Sequence, residues 1–134
     1  CYEIARLDHP FERGLEQVTA EYSLQSNGRV RVINRGFSRN TDEWKEAVGK
    51  AYFSRETDEG YLKVSFFGPF YSSYVVFGLD HEQYQYAFVC GPDESYLWLL
   101  SRTPSVDKEV IALFVKTAGD MGFNTEELIH VQQK

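Results

Sequence analysis

The chain has 134 residues, with 14 Lys or Arg against 20 Asp or Glu, a formal net charge of −6 and 16% aromatic residues. That length suits a single domain spanning 1–134, and ten Phe, nine Tyr and two Trp supply apolar area for a core without disulfide staples. An acidic chain with no run of Lys or Arg is a poor match for a polyphosphate, which argues against nucleic acid as a partner, and no apolar run is long enough for a membrane-spanning helix.

In chain order, the dominant signal is apolar alternation at period two, broken by turn residues roughly every ten positions. Tyr2 to Leu7 reads as a first strand, followed by a polar loop from Asp8 to Glu16. Val18 to Leu24 alternates, and Ser26-Asn27-Gly28 supplies a hairpin signal because Asn and Gly tolerate positive φ. Arg29 to Phe37 returns with Val30, Val32 and Asn34 on one face and Arg29, Arg31, Ile33 and Arg35 on the other. Further strands are expected at Trp44–Ser54, Tyr61–Phe67, Tyr74–Asp80, Tyr84–Cys90 and Ser95–Arg102. Their connectors are Arg55–Gly60, Gly68–Ser73, His81–Gln83 and Gly91–Glu94.

One segment breaks the rhythm. Between Val106 and Met121, Val110, Leu113, Phe114, Ala118 and Met121 recur at helical spacing, with Ser105 as the expected cap and Gly122 as the stop. A short final strand, Leu128–Gln132, follows. Eight strands joined in sequence by short turns leave two edges exposed, and closure into a barrel removes them. The expected fold is therefore all-β: an eight-stranded antiparallel up-and-down barrel, one C-terminal α-helix packed outside, and a short last strand.

Splitting each strand by parity gives the expected inward face, on which Ala20, Ala47, Gly49, Ala51, Gly78 and Ala87 are conspicuously small. Two readings follow. Neighbouring Phe and Tyr side chains can fill the space, or the barrel holds a ligand; so many small residues favour the cavity. Its wall is expected to comprise Ala20, Val32, Asn34, Ala47, Ala51, Val64, Phe66, Tyr74, Val76, Ala87, Tyr96 and Trp98. Few polar groups on an apolar wall suit an amphiphile with one polar end. Tyr84, Tyr86, Phe88, Leu97 and Leu99 point the other way and are expected to meet the helix stripe.

Three motifs then carry a resemblance. Cys1-Tyr2-Glu3-Ile4-Ala5-Arg6 resembles the G-x-W-Y-E-I-A-R opening of lipocalins. Tyr74-Val75-Val76-Phe77-Gly78-Leu79-Asp80, with Tyr84, resembles their second motif, in which the Asp and Tyr shape the turn between the sixth and seventh strands. Leu100-Ser101-Arg102-Thr103-Pro104 resembles the third, around the family's Arg. Leu7-Asp8-His9-Pro10-Phe11-Glu12-Arg13-Gly14, Lys63 to Tyr71 and Val131-Gln132-Gln133 look like the bacterial lipocalins, which are outer-membrane lipoproteins. The resemblance covers essentially the whole chain.

It implies a calyx that binds, stores or transports a fatty acid, lysophospholipid or similar amphiphile in outer-membrane maintenance. It also implies lipid anchoring on the periplasmic face through an upstream Cys, a homodimer, no cofactor and no catalysis. In the family a Trp precedes Tyr-Glu and stacks on the third-motif Arg. Cys1 stands there in this chain, so Arg102 would lack a cation–π contact worth about 1 kcal/mol. The expectation is that the anchor and a barrel-closing segment lie upstream of Cys1.

Other chemistry is weakly signalled. His9, His81 and His130 have no second ligand at metal spacing, and there is no nucleophile elbow or phosphate loop. Glu3 alone among the acids is expected to point into the barrel, with Arg102 as its partner. Cys1 and Cys90 begin and end strands at opposite ends and are expected to remain free thiols. The alternative function is an interaction protein that uses outward aromatics such as Trp44, Tyr52 and Tyr71, with the barrel filled by its own side chains.

Overall fold

A computed structural model describes residues 1–8, 13–26, 28–53, 61–67, 70–80 and 82–133, with the backbone alone described for 53, 61–62, 64–67 and 70–73. Eight strands follow in order: β1 (Tyr2–Arg6), β2 (Leu15–Leu24), β3 (Val30–Ser38), β4 (Glu43–Phe53), β5 (Tyr61–Phe67), β6 (Phe70–Leu79), β7 (Tyr86–Cys90) and β8 (Leu97–Ser101). Helix α1 (Lys108–Asp120), a 3-10 turn at Thr125–Glu127 and β9 (Ile129–His130) complete the chain.

Each strand from β2 to β8 pairs antiparallel with the next, and β1 pairs with β8, β2 and β9. The sheet therefore curls until its ends meet. The closing seam is shared. Tyr2 pairs with Thr19 of β2, whereas Ala5 and Arg6 pair with His130 and Ile129 of β9. The C-terminal segment bridges what remains. The Gln17 amide donates to the Gln132 carbonyl at 2.7 Å, and the Val131 amide to the Ile4 carbonyl at 2.9 Å. Gln133 Nε2 donates to the carbonyls of Glu3 (2.7 Å) and Val18 (3.0 Å), stitching β1 to β2.

The main core lies outside the barrel, under the helix. Ile4, Ala5, Leu7, Phe88, Leu97, Leu99, Phe114 and Ala118 are buried together. The Phe88 and Phe114 rings meet edge-on at 5.1 Å, which locks the helix to β7. The helix presents Val110, Ile111, Phe114, Val115 and Ala118 to this core, while Leu113 and Met121, expected in the stripe, are about half exposed. Asp107 rather than Ser105 occupies the N-cap, and Gly122 leaves the helix at φ 100° as a C-terminal glycine should.

Element boundaries shift by a few residues. β2 begins at Leu15, inside the expected loop, and β6 begins at Phe70, so most of the expected Gly68–Ser73 connector is strand. Tyr84 is not in a strand. The Asp80 carboxylate accepts amide hydrogens from Glu82, Gln83 and Gln85, and Tyr84 sits exposed at φ 54° inside that turn. The motif Asp is thus a turn former, with its side chain replacing missing backbone acceptors. At the β2–β3 hairpin, Gly28 adopts φ 82° and the Gln25 amide reaches the Arg29 carbonyl. Asn27, His9, His81 and the Arg55–Gly60 connector lie outside the described residues.

Candidate functional site

Cross-strand pairing decides which side chains share the concave face. Ala20 pairs with Asn34 and Asn34 with Ala47; Tyr22 pairs with Val32 and Val32 with Gly49; Val30 pairs with Ala51. Directly paired residues lie on the same side of a sheet, so these form one continuous surface. Val30, Val32 and Ala51 are buried against one another, Asn34 is half-buried and Ala47 is exposed. Ala51 also pairs with Val64, whose side chain, like that of Phe66, lies outside the described residues.

Around the curl, Val76 pairs with Val89, Val89 with Trp98 and Trp98 with Arg6, while Ala87 pairs with Leu100 and Leu100 with Glu3. These residues face away from the helix, on the concave side. Tyr74, Tyr96 and Trp98 gather there, with ring centroids 5.4 Å apart for Tyr74 and Trp98 and 6.0 Å for Tyr96 and Trp98. All three are half-buried, as are Val76 and Ala87. Every residue of the expected wall whose side chain is described therefore falls on one face. It combines small side chains on β2 to β4 with an aromatic trio from β6, β8 and the turn that leads into β8.

Two expectations about this face are corrected. Gly78 does not point inward. A bulge between Val76 and Gly78 shifts parity, Gly78 pairs with Phe88, and a Cβ there would run into the Phe88 ring on the helix side. Glu3 does point inward, but its partner is Arg6, with Arg6 Nη1 3.5 Å from Glu3 Oε1. A second bulge, between Glu3 and Ala5, turns Ile4 and Ala5 to the helix and brings Arg6 round to the inner face. Arg102, the expected partner, is exposed.

Glu3 and Arg6 are 4% and 1% exposed, and Arg6 Nη2 also donates to the Leu15 carbonyl at 3.1 Å. A buried ion pair beside Trp98 is the feature that strand alternation missed. Strand alternation sets residues three apart on opposite faces, so only the bulge brings this acid and base together. Cys90, half-buried where β7 ends, has its thiol pushed above the usual range by burial. Cys1 is exposed, and both thiols are free. Among the described residues no group of His, Cys, Asp and Glu is arranged to hold a metal.

On the convex side, Trp44 is 56% exposed, its ring edge-on to Phe37 at 5.4 Å. Tyr52 lies under the Arg29 guanidinium at 5.1 Å. The side chain of Tyr71 is outside the described residues.

Comparison with known proteins agrees with this architecture. The family described as "Lipocalin-like domain" matches residues 1–133. The chain is 60% identical over 133 residues to "Outer membrane lipoprotein Blc" of Vibrio cholerae, covering 99% of this chain and 78% of that protein. It is 52% identical to the protein of the same name in Escherichia coli, covering 98% and 74%. Lobster apocrustacyanin A1 superposes with a TM-score of 0.77 at 16% identity, and insecticyanin from the tobacco hornworm Manduca sexta with 0.77 at 21%. Each superposition covers 99% of this chain, with 75% and 76% of those chains, and shows the shared fold. Sequence, pairing pattern and relatives converge: the chain belongs to the lipocalin family, as a bacterial lipocalin of the outer-membrane lipoprotein type.

Proposed function

We propose that this lipocalin binds a fatty acid, lysophospholipid or similar amphiphile on the concave face of its barrel, and that it stores or carries that lipid at the outer membrane. The family binds small hydrophobic ligands, and relatives at 60% and 52% identity are outer-membrane lipoproteins. What supports the finer reading is the composition of one face. Ala20, Gly49, Ala51 and Ala87 line it with little volume of their own, and Tyr74, Tyr96 and Trp98 offer an aromatic wall with hydroxyl and indole N–H groups. An alkyl chain is held there by area alone, and a polar end by a few convergent groups.

Lipid anchoring at the periplasmic face and a homodimer belong to the same proposal by analogy with the family. The relatives belong to a family of binding proteins.

Extraction of the purified chain with organic solvent, followed by mass spectrometry, tests the proposal. Stoichiometric fatty acid or lysophospholipid is the expected result. Extracts with no lipid, from protein that also fails to take up added lipid, would overturn it.

A further inference from the structure

The charge of the molecule is unevenly placed. Strand β3 carries Arg29, Arg31, Arg35 and Arg39 at alternate positions or flanking its ends, and parity puts all four on the convex side, opposite buried Val30 and Val32. Lys50 pairs with Arg31, and Lys63 pairs with Tyr52, which adds two cations to the same face. The described carboxylates on or beside that face are Glu16, Glu21, Glu46 and, in the 39–42 turn next to Trp44, Asp42, with Glu46 held by Arg35 at 2.6 Å and Glu16 near Arg39 at 3.7 Å. Among the described residues the cations on this face outnumber the carboxylates, on a chain of net charge −6.

Apolar groups lie among these cations. Ile33 pairs with Val48, which is 48% exposed, and Phe37 pairs with Trp44, which is 56% exposed. A soluble surface seldom shows an indole and a valine between arginines without a partner for both. Cations with an interfacial Trp are the chemistry of a headgroup layer: the guanidinium groups meet phosphates, and the amphipathic indole sits at the boundary between wet and apolar. Trp44 and Arg39 flank the 39–42 turn, at the same end of the barrel as Tyr96 and the 91–95 turn.

We propose that the convex face of β2 to β5 docks on an anionic phospholipid bilayer, with Trp44 at the headgroup boundary, so that this end of the barrel lies beside the lipid. This assigns an orientation to the molecule and does not depend on what the concave face holds.

The test uses the 134-residue chain and vesicles of phosphatidylcholine with 30% phosphatidylglycerol, against vesicles of phosphatidylcholine alone. Co-sedimentation with the anionic vesicles is expected, with at least a fivefold drop at 0.5 M NaCl and a similar drop for the double variant Arg31→Glu, Lys50→Glu. A blue shift of tryptophan emission on vesicle addition is expected in the parent chain and lost in Trp44→Phe. No preference for anionic vesicles would overturn the proposal, as would binding that the charge reversal leaves unchanged. So would analytical ultracentrifugation showing a dimer that the charge reversal dissociates while vesicles are ignored, because the occupant would then be a second copy. If Arg31→Glu, Lys50→Glu fails to fold, Arg31→Gln, Lys50→Gln gives the same reading with a smaller drop.

Discussion

Arg6 is buried to 1% exposure between Glu3 and the Leu15 carbonyl, so its loss leaves the buried Glu3 carboxylate without this cation. Arg6→Met removes the partner of a buried carboxylate and is expected to destabilise the fold by about 3–5 kcal/mol in urea denaturation. Adding Glu3→Gln should recover much of that loss, because the remaining charge then leaves the interior with its counterion; no recovery would mean that Glu3 is held by other groups. Cys90 offers a second test at this scale. Burial raises its thiol pKa, so its thiolate is scarcer than that of an ordinary cysteine at any given pH. In the folded chain a thiol reagent at pH 8 should modify the exposed Cys1 quickly and Cys90 slowly, with the slow rate still climbing above pH 9. Equal rates would contradict the burial.

Strands and helix were legible from period and turn chemistry, and the inner wall was legible wherever parity ran unbroken. Ala20, Val32, Asn34, Ala47 and Ala51 fall on the expected side because β3 and β4 pair without a shift from Val30 to Ser38. Bulges end that legibility. Those at Glu3/Ala5, Glu16/Thr19 and Val76/Gly78 each change parity, which is why Gly78 was placed on the wrong face and Arg6 was not placed inside at all. Gln17, at φ 53°, marks one of them with a residue that gives no hint of left-handed backbone.

Two predictions belong to elements. Phe114 is wholly buried against Phe88, so Phe114→Ala should cost about 3–5 kcal/mol of stability and loosen the helix from the sheet. Gln133 joins β1 to β2 through two carbonyls, and Gln133→Leu should cost about 1–2 kcal/mol. Hydrogen exchange should then rise first at the amides of Gln17 and Val131, which pair across the same seam. Unchanged exchange there would mean that the C-terminal segment does not close the barrel.

At the scale of the whole molecule, sequence order hides two things that folding assembles. One is the basic face: Arg29, Arg31, Arg35 and Arg39 never form a run, yet a period of two puts them on one side of the sheet. The other is the division of aromatics into an inner trio, a helix-covered group around Phe88, and an outer pair at Phe37 and Trp44, which depends on pairings far apart in sequence.

The central claim is that the concave face binds lipid, and placement of the two indoles makes it measurable. In a Trp44→Phe chain, Trp98 is the sole tryptophan and lies on that face beside Tyr74. Ala51 is wholly buried with Val30 and Val32, so enlarging it would strain the sheet by about 1–3 kcal/mol and confuse folding with binding. Ala47 is exposed on the same face and is the cleaner position to fill. Titrating a long-chain fatty acid into the Trp44→Phe chain should change Trp98 emission saturably, and adding Ala47→Phe should weaken that binding roughly tenfold, or ~1.4 kcal/mol, with circular dichroism unchanged. Emission that stays flat while a folded chain displaces no bound lipid probe would contradict the account.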